Sequence, residues 1–136
     1  MLRDYEAALK AAADPNRARV LKMLEGGELC VCQIVAVLGL SQSTVSRHLS
    51  LLRGAGLVEE RKEGRWVHFR LAEERVNEYA LPLLSLVRQW MKEDAIIRTD
   101  AEKLARIRRM PVEELCAMGP QRVERELAMT TGGARG

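Results

Sequence analysis

Aromatic residues make up only 4% of this 136-residue chain, and it holds two histidines, four prolines and three cysteines. The chain's hydrophobic share of 47% is ordinary for a globular protein, and abundant Ala and Leu with so few rings favour helices. No apolar run approaches the roughly 18 to 20 residues that span a bilayer. The opening Met1-Leu2-Arg3-Asp4-Tyr5-Glu6 lacks the apolar centre of a secretory signal, so a cytoplasmic chain without a membrane partner is expected. Cysteine is scarce and odd in number, with Cys30 and Cys32 one residue apart. In a reducing cytosol such residues are expected as free thiols for ligation or redox chemistry rather than as staples. There is no internal repeat, and the length suits one modest core.

The net charge is only +3, but its placement is uneven. Between Ser41 and Arg70 lie Arg47, Arg53, Arg61, Lys62, Arg65 and Arg70 against Glu59, Glu60 and Glu63, which accounts for the whole excess. Both histidines, His48 and His68, fall in the same stretch. A localised basic surface suits a phosphate-bearing partner, although charge alone describes a solvated face equally well.

Periodicity and capping signals divide the chain. Asp4 to Ala13 has helical composition. Asp14-Pro15 supplies a cap and a first-turn proline for a helix to Leu24, which Gly26-Gly27 ends. A third helix is expected from about Glu28 or Cys30 to Leu38, with Gly39 as its stop, and a fourth from Gln42 to Arg53. Leu57 to Lys62 and Arg65 to Leu71 then read as two strands turning at Glu63-Gly64. Pro82 either begins or kinks a long helix carrying Leu83, Leu84, Leu86, Val87, Trp90 and Met91 to about Ile97. That stripe suits core packing or a dimer interface. A helix over Asp100 to Arg109 and a short one from Pro111-Val112-Glu113-Glu114 complete the reading. The resulting organisation is a DNA-binding and dimerisation domain over 1–98, a helical extension over 99–129 and a disordered tail over 130–136.

Two short helices around Gly39-Leu40-Ser41, followed by a basic hairpin, have the order of a winged helix-turn-helix. In the fourth helix Val45, Leu49 and Leu52 share one inward face. Gln42, Ser43, Thr44, Ser46, Arg47 and His48 are left outward near the N-terminus, where a recognition helix enters the major groove. Gln42 and Arg47 have donor geometry for base edges, and the short hydroxyl side chains let backbone approach phosphates. Arg61, Lys62 and Arg65 flank the hairpin turn and suit a wing on backbone or minor groove. The expected fold is therefore mainly α with a small β-hairpin, a dimeric winged helix-turn-helix.

Three strings carry a resemblance: Glu28-Leu29-Cys30-Val31-Cys32, Leu40-Ser41-Gln42-Ser43-Thr44-Val45-Ser46-Arg47-His48-Leu49, and Gly64-Arg65-Trp66-Val67. Over roughly Leu9 to Trp90 the chain resembles the ArsR/SmtB family of metalloregulatory repressors, and most closely its arsenic-responsive branch. The resemblance implies a homodimer on double-stranded operator DNA with an inverted repeat. It also implies release by As(III) or Sb(III), with no organic cofactor.

A soft trivalent ion favours thiolates. Cys30 and Cys32 supply two. On a regular helix they would diverge by about 200 degrees, so joint chelation requires an unwound first turn, which would displace the recognition helix. Their other reading is as two small buried hydrophobes. Some family members carry a third cysteine on the same helix, where this chain has Ile34 and Val35. Cys116 is then either the third ligand, from the same subunit or its partner, or a core position. Zinc across the long helix is disfavoured, because Tyr79 to Ile97 contains no histidine; His68 is read as structural. Response to another soft metal or to thiol oxidation, and a constitutive DNA binder with incidental cysteines, stay open. A thiol-disulfide enzyme does not fit, for there is no βαβ pattern and no catalytic base beside Cys30-Val31-Cys32.

Overall fold

A computed structural model describes residues 1–117. The far part of the expected extension, 118–129, and the expected tail, 130–136, lie outside the described residues. The helices are α1 (Leu2–Ala13), α2 (Pro15–Leu24), α3 (Val31–Leu38), α4 (Gln42–Gly54), α5 (Ala80–Gln89), α6 (Ala95–Ile107) and α7 (Val112–Ala117). The strands are β1 (Leu29–Cys30), β2 (Val58–Glu63) and β3 (Trp66–Leu71), in one antiparallel sheet of order β1-β3-β2. This is the mainly helical, winged architecture expected.

Local chemistry sets the boundaries. Asp14 accepts the Asn16 and Arg17 backbone N–H groups at 2.8 and 3.1 Å, and Pro15 follows in the first turn of α2. Gly39 closes α3 at φ +69°, a left-handed conformation that costs glycine little, and so sets the sharp turn into α4. At Ser41 the side chain accepts the Thr44 N–H at 3.2 Å and starts α4. Leu21, Leu29, Ile34, Val45, Leu49 and Leu57 fill the core at 0–1% exposure.

Two expectations are corrected here. The third helix starts at Val31, because Leu29 and Cys30 are extended and pair with Phe69 and His68 of β3. The helix expected from Pro82 to about Ile97 is two helices. Pro82 sits in the first turn of α5, which begins the helix rather than kinking it. The chain leaves α5 at Trp90, takes φ +64° at Met91, and restarts where Asp94 accepts the Ile96 and Ile97 N–H groups. The Lys22 ammonium donates to the carbonyls of Val87, Arg88 and Trp90, satisfying acceptors that a continued helix would use internally. The apolar stripe is split accordingly. Leu84 and Val87 are buried, Leu83 and Met91 pack partly on the core, and Leu86 and Trp90 stay about half exposed.

Helices α6 and α7 fold back over α2 and α3, burying Leu104, Ile107 and Leu115. Each such side chain contributes about 1.5–3 kcal/mol. A charged contact also joins α2 to α6. Arg19 Nε and Nη2 donate to both Asp100 oxygens at 2.8 and 2.9 Å, with Asp100 only 3% exposed. Asp100→Ala should therefore lower unfolding stability by about 2–3 kcal/mol, because the Arg19 guanidinium is left half-enclosed without its anion. Arg98→Ala, which breaks only the exposed pair with Glu93, should change it by less than about 0.5 kcal/mol in the same urea titration.

Candidate nucleic-acid interface and thiol site

Helix α4 buries Val45, Leu49 and Leu52 against the core and leaves Gln42, Ser43, Thr44, Ser46 and Arg47 exposed. The hydroxyls at its start are linked: Ser41 Oγ donates to Thr44 Oγ1 at 2.8 Å and lies 3.2 Å from Ser43 Oγ. His48 is half-buried, with Nδ1 3.2 Å from the Arg17 guanidinium, whose Nε donates to the Ala11 carbonyl at 2.7 Å. His48 is thus tied to the α1–α2 corner rather than standing free.

Beyond α4 the hairpin β2–β3 turns at Gly64, φ +58°. Its cations differ in commitment. Arg61 donates through Nε and Nη2 to both oxygens of Glu28 and through Nη1 to Glu63, all at 2.9 Å. These carboxylates hold the Arg61 pKa above its ordinary value. Lys62 lies 3.8 Å from Glu60, which is itself occupied by Arg53 at 2.6 Å. Arg65 stacks on Trp66, 4.8 Å from the ring centre. Lys62 and Arg65 are consequently the wing cations least held by acids.

The third feature lies under the hairpin. Cys30 is buried and caps α3: its backbone N–H donates to Gln33 Oε1 at 2.8 Å, and its sulfur accepts the Gln33 N–H. Cys32 occupies the first turn of α3. Helix α7, anchored by the buried Leu115, brings Cys116 against that turn with a Cα–Cα separation of 5.4 Å from Cys32. The three sulfurs lie within 4.8 Å of one another. A cleft of about 550 Å³ opens above them, bounded by Gln42 and Ser46 of α4 and by Lys62, Arg65 and Trp66 of the wing.

The family described as bacterial regulatory protein, arsR family, matches residues 14–60. An uncharacterized HTH-type transcriptional regulator of Methanocaldococcus jannaschii is 45% identical over 78 residues, which cover 54% of this chain and 88% of that one. An arsenic resistance transcriptional regulator of Pseudomonas putida is 41% identical over 92 residues, 64% of this chain and 71% of the relative. Among solved structures, the homodimeric winged helix-turn-helix DNA-binding domain of a possible ArsR-family regulator from Mycobacterium bovis is similar. Its TM-score is 0.56 at 33% identity, covering 65% of this chain and 78% of that one.

This chain belongs to the arsR family.

Its fold and family are those of DNA-binding transcriptional regulators, not of enzymes. No helix among the described residues is long and apolar enough to cross a membrane. Within this arsR-family chain, Cys30 and Cys32 fall inside the matched segment and Cys116 lies beyond it.

Two expectations about the cysteines are revised. All three were expected as free thiols, whereas Cys32 and Cys116 form a disulfide and Cys30 alone is free. The cause is the fold-back of α7, which holds the two Cα atoms within the range a disulfide spans. Convergence of Cys30 and Cys32 was expected to need an unwound turn. Instead Cys30 is extended, at φ −74° and ψ 150°, so its side chain is not bound to the helical phase that would separate it from Cys32.

Sequence reasoning missed Glu28, which clamps the wing through Arg61, and Trp66, which carries Arg65. Both belong to quoted motif strings, but their partners lie 33 residues away and next door respectively, and neither pairing has a sequence signal. Glu59 was counted only as an acid. It braces the base of the wing, accepting the Glu73 and Glu74 N–H groups at 2.8 and 3.1 Å and Arg70 Nε at 3.0 Å. The Glu73 N–H above all, then the Glu74 N–H and Arg70, hold its carboxyl below the ordinary value of 4.5. A carboxylate with a depressed folded pKa lends stability that is fully present above about 4.5 and lost as pH falls through the lower folded value. The thermal midpoint should thus drop as pH is lowered below about 4.5, and Glu59→Gln should flatten that dependence in melts followed across pH 3 to 7 (roughly the carboxylate range).

Proposed function

We propose that this arsR-family regulator is a homodimeric repressor of an inverted-repeat operator, released when Cys30, Cys32 and Cys116 thiolates capture trivalent arsenic or antimony. The observation that carries the reading is the convergence of three sulfurs, within 4.8 Å, from segments 84 residues apart. A soft ion bound by three thiolates needs such a donor set, and an all-sulfur set disfavours the harder ions. The arsenic-related name of the Pseudomonas putida relative points the same way. So does the homodimeric state named for the Mycobacterium bovis domain, in support of a dimer. Leu86 of α5 and Trp90 just after it, with Leu2, Tyr5 and Leu9 of α1, offer exposed apolar side chains for the two-fold contact.

On DNA, Gln42 and Arg47 would read base edges while Ser43, Thr44 and Ser46 let the backbone near phosphates. His48 would contribute through its Arg17-held ring. At the wing, Lys62 and Arg65 contact phosphate and Arg61 holds the hairpin rigid through Glu28. The inducer acts at the junction of both elements. Cys30 ends the strand that pairs with the wing and caps the helix packed on α4. Pulling its sulfur toward Cys32 and Cys116 strains both attachments together. Binding that favours the displaced form weakens DNA affinity by reciprocity. Two of the three ligands are tied in the disulfide, so reduction precedes capture.

Arg47→Ala or Gln42→Ala should weaken operator binding by about 1–3 kcal/mol with little effect on random duplex. Arg65→Ala should weaken both and reduce the slope of affinity against salt by about one phosphate contact. Fluorescence anisotropy at several salt concentrations separates the two patterns, and intact operator affinity in both α4 variants would refute this placement.

For the inducer, reduced Cys30→Ser and Cys32→Ser proteins should bind operator normally yet stay bound at arsenite concentrations that free the wild type. X-ray absorption should show three sulfurs around arsenic in the wild type and two in Cys116→Ser. Release of the serine variants by arsenite would end the sensing reading; three sulfurs in Cys116→Ser would remove only its third ligand. The Cys32–Cys116 disulfide favours a second reading, response to thiol oxidation. Under it, a thiol oxidant alone would shift operator affinity, and Cys116→Ser would abolish the shift.

A further inference from the structure

The cleft above the sulfurs is far larger than a captured ion requires. At about 550 Å³ it falls in the size range of small-molecule sites. Its floor holds the Cys32–Cys116 disulfide, and Leu49, Val67, Phe69 and Trp66 give it an apolar wall. Its rim carries Arg53, Lys62 and Arg65 against a single acid, Glu60. Arg53 is paired with Glu60 at 2.6 Å, while Lys62 lies 3.8 Å from the other oxygen of that same carboxylate and Arg65 stacks on Trp66, so among the described residues one acid is shared by three rim cations. A disulfide at the bottom of a cationic, partly apolar cleft is matched by a molecule that carries both a thiol and a negative charge.

We propose that this cleft binds a small anionic thiol, one bearing a carboxylate, which docks on Lys62 and Arg65 and reduces the Cys32–Cys116 disulfide. The inference deepens the proposed thiol site by naming what arms it. The bound thiolate attacks one sulfur of the disulfide. A new sulfur–sulfur bond forms to the small molecule, and the protein bond breaks with its electron pair on the other cysteine, which takes a proton. A second molecule of the thiol attacks the mixed disulfide in the same way. Two small thiols leave as one symmetrical disulfide, and their two electrons and two protons stay on Cys32 and Cys116. The ion then meets three thiols.

The test uses the oxidised full-length protein, with neither DNA nor arsenic present, so its outcome is independent of operator release. Reduction is followed with 3-mercaptopropionate, 2-mercaptoethanol and cysteamine, which are anionic, neutral and cationic. Each rate is divided by that of the same thiol on an unstructured peptide disulfide, which removes intrinsic reactivity. The expected order is anionic over neutral over cationic, by roughly threefold to fivefold per charge step, the size of one charge pair a few ångströms apart in water. The order should collapse in about 1 M salt, where screening reaches about 3 Å. It should also shrink in Lys62→Gln, whose side chain is 75% exposed and therefore dispensable for folding, and vanish in Lys62→Gln with Arg65→Gln. A flat or reversed series would overturn the proposal, as would an order unchanged by the double variant. So would three titratable thiols after air oxidation, because the cleft would then have no disulfide to receive the thiol.

Discussion

Leu29 and Cys30 pair with Phe69 and His68, and Cys30 then caps α3. Two residues thereby fasten the wing and the helix behind the recognition helix to one point. Strand β1 is too short to be stable alone; it persists because Leu29 is fully buried and because Gln33 and the Cys30 backbone satisfy each other across the cap. The consequence is mechanical. The hairpin is held to α3 at this point by two residue pairs and a cap, alongside its own direct packing on α4.

The charge distribution supports a narrower surface than counting residues suggests. Of the six cations between Ser41 and Arg70, Arg53, Arg61 and Arg70 are spent on Glu60, Glu28 with Glu63, and Glu59. These exposed pairs contribute little to global stability. Their role is directional, since Arg61 grips both oxygens of Glu28 and Glu59 gathers two backbone N–H groups at the wing's base. Arg47 on the helix, with Lys62 and Arg65 on the wing, is less tied to acids. The local net charge of +3 thus divides into three cations loosely held by acids and three that brace the hairpin and its junction with α4.

Much of this was legible before any coordinates. The cap at Asp14, the stops at Gly26-Gly27 and Gly39, and the two strands turning at Glu63-Gly64 are local, and local chemistry reads correctly along a chain. The i, i+4, i+7 spacing of Val45, Leu49 and Leu52 assigned the buried face of α4, and with it the outward set. Three things were not legible, each because its cause is distant in sequence. Strand β1 exists through β3, some forty residues later. The break after α5 depends on Lys22 reaching the carbonyls of Val87 and Trp90 from α2. The nearness of Cys116 to Cys32 depends on α6 and α7 folding back, which Arg19 and Asp100 secure. Periodicity marked each helix of that extension without indicating where it lands.

That fold-back changes what a two-cysteine motif can do. Cys30-Val31-Cys32 alone offers two sulfurs, which a regular helix would point apart. The structure removes that constraint by leaving Cys30 extended, and it adds a sulfur carried by a separate element. Under the proposed function, a ligand set divided between the strand–helix junction and α7 would couple the signal to the seating of α6 and α7 as well as to the wing. If α7 were unseated, the site would lose its third sulfur while the winged core, with Leu21, Ile34, Leu49 and Leu57 in place, kept its packing. On that proposal, stability of the winged core and capture by the three sulfurs would be separable: the first rests on the buried faces of α2 to α4, the second on how firmly Asp100, Leu104, Ile107 and Leu115 hold the extension down.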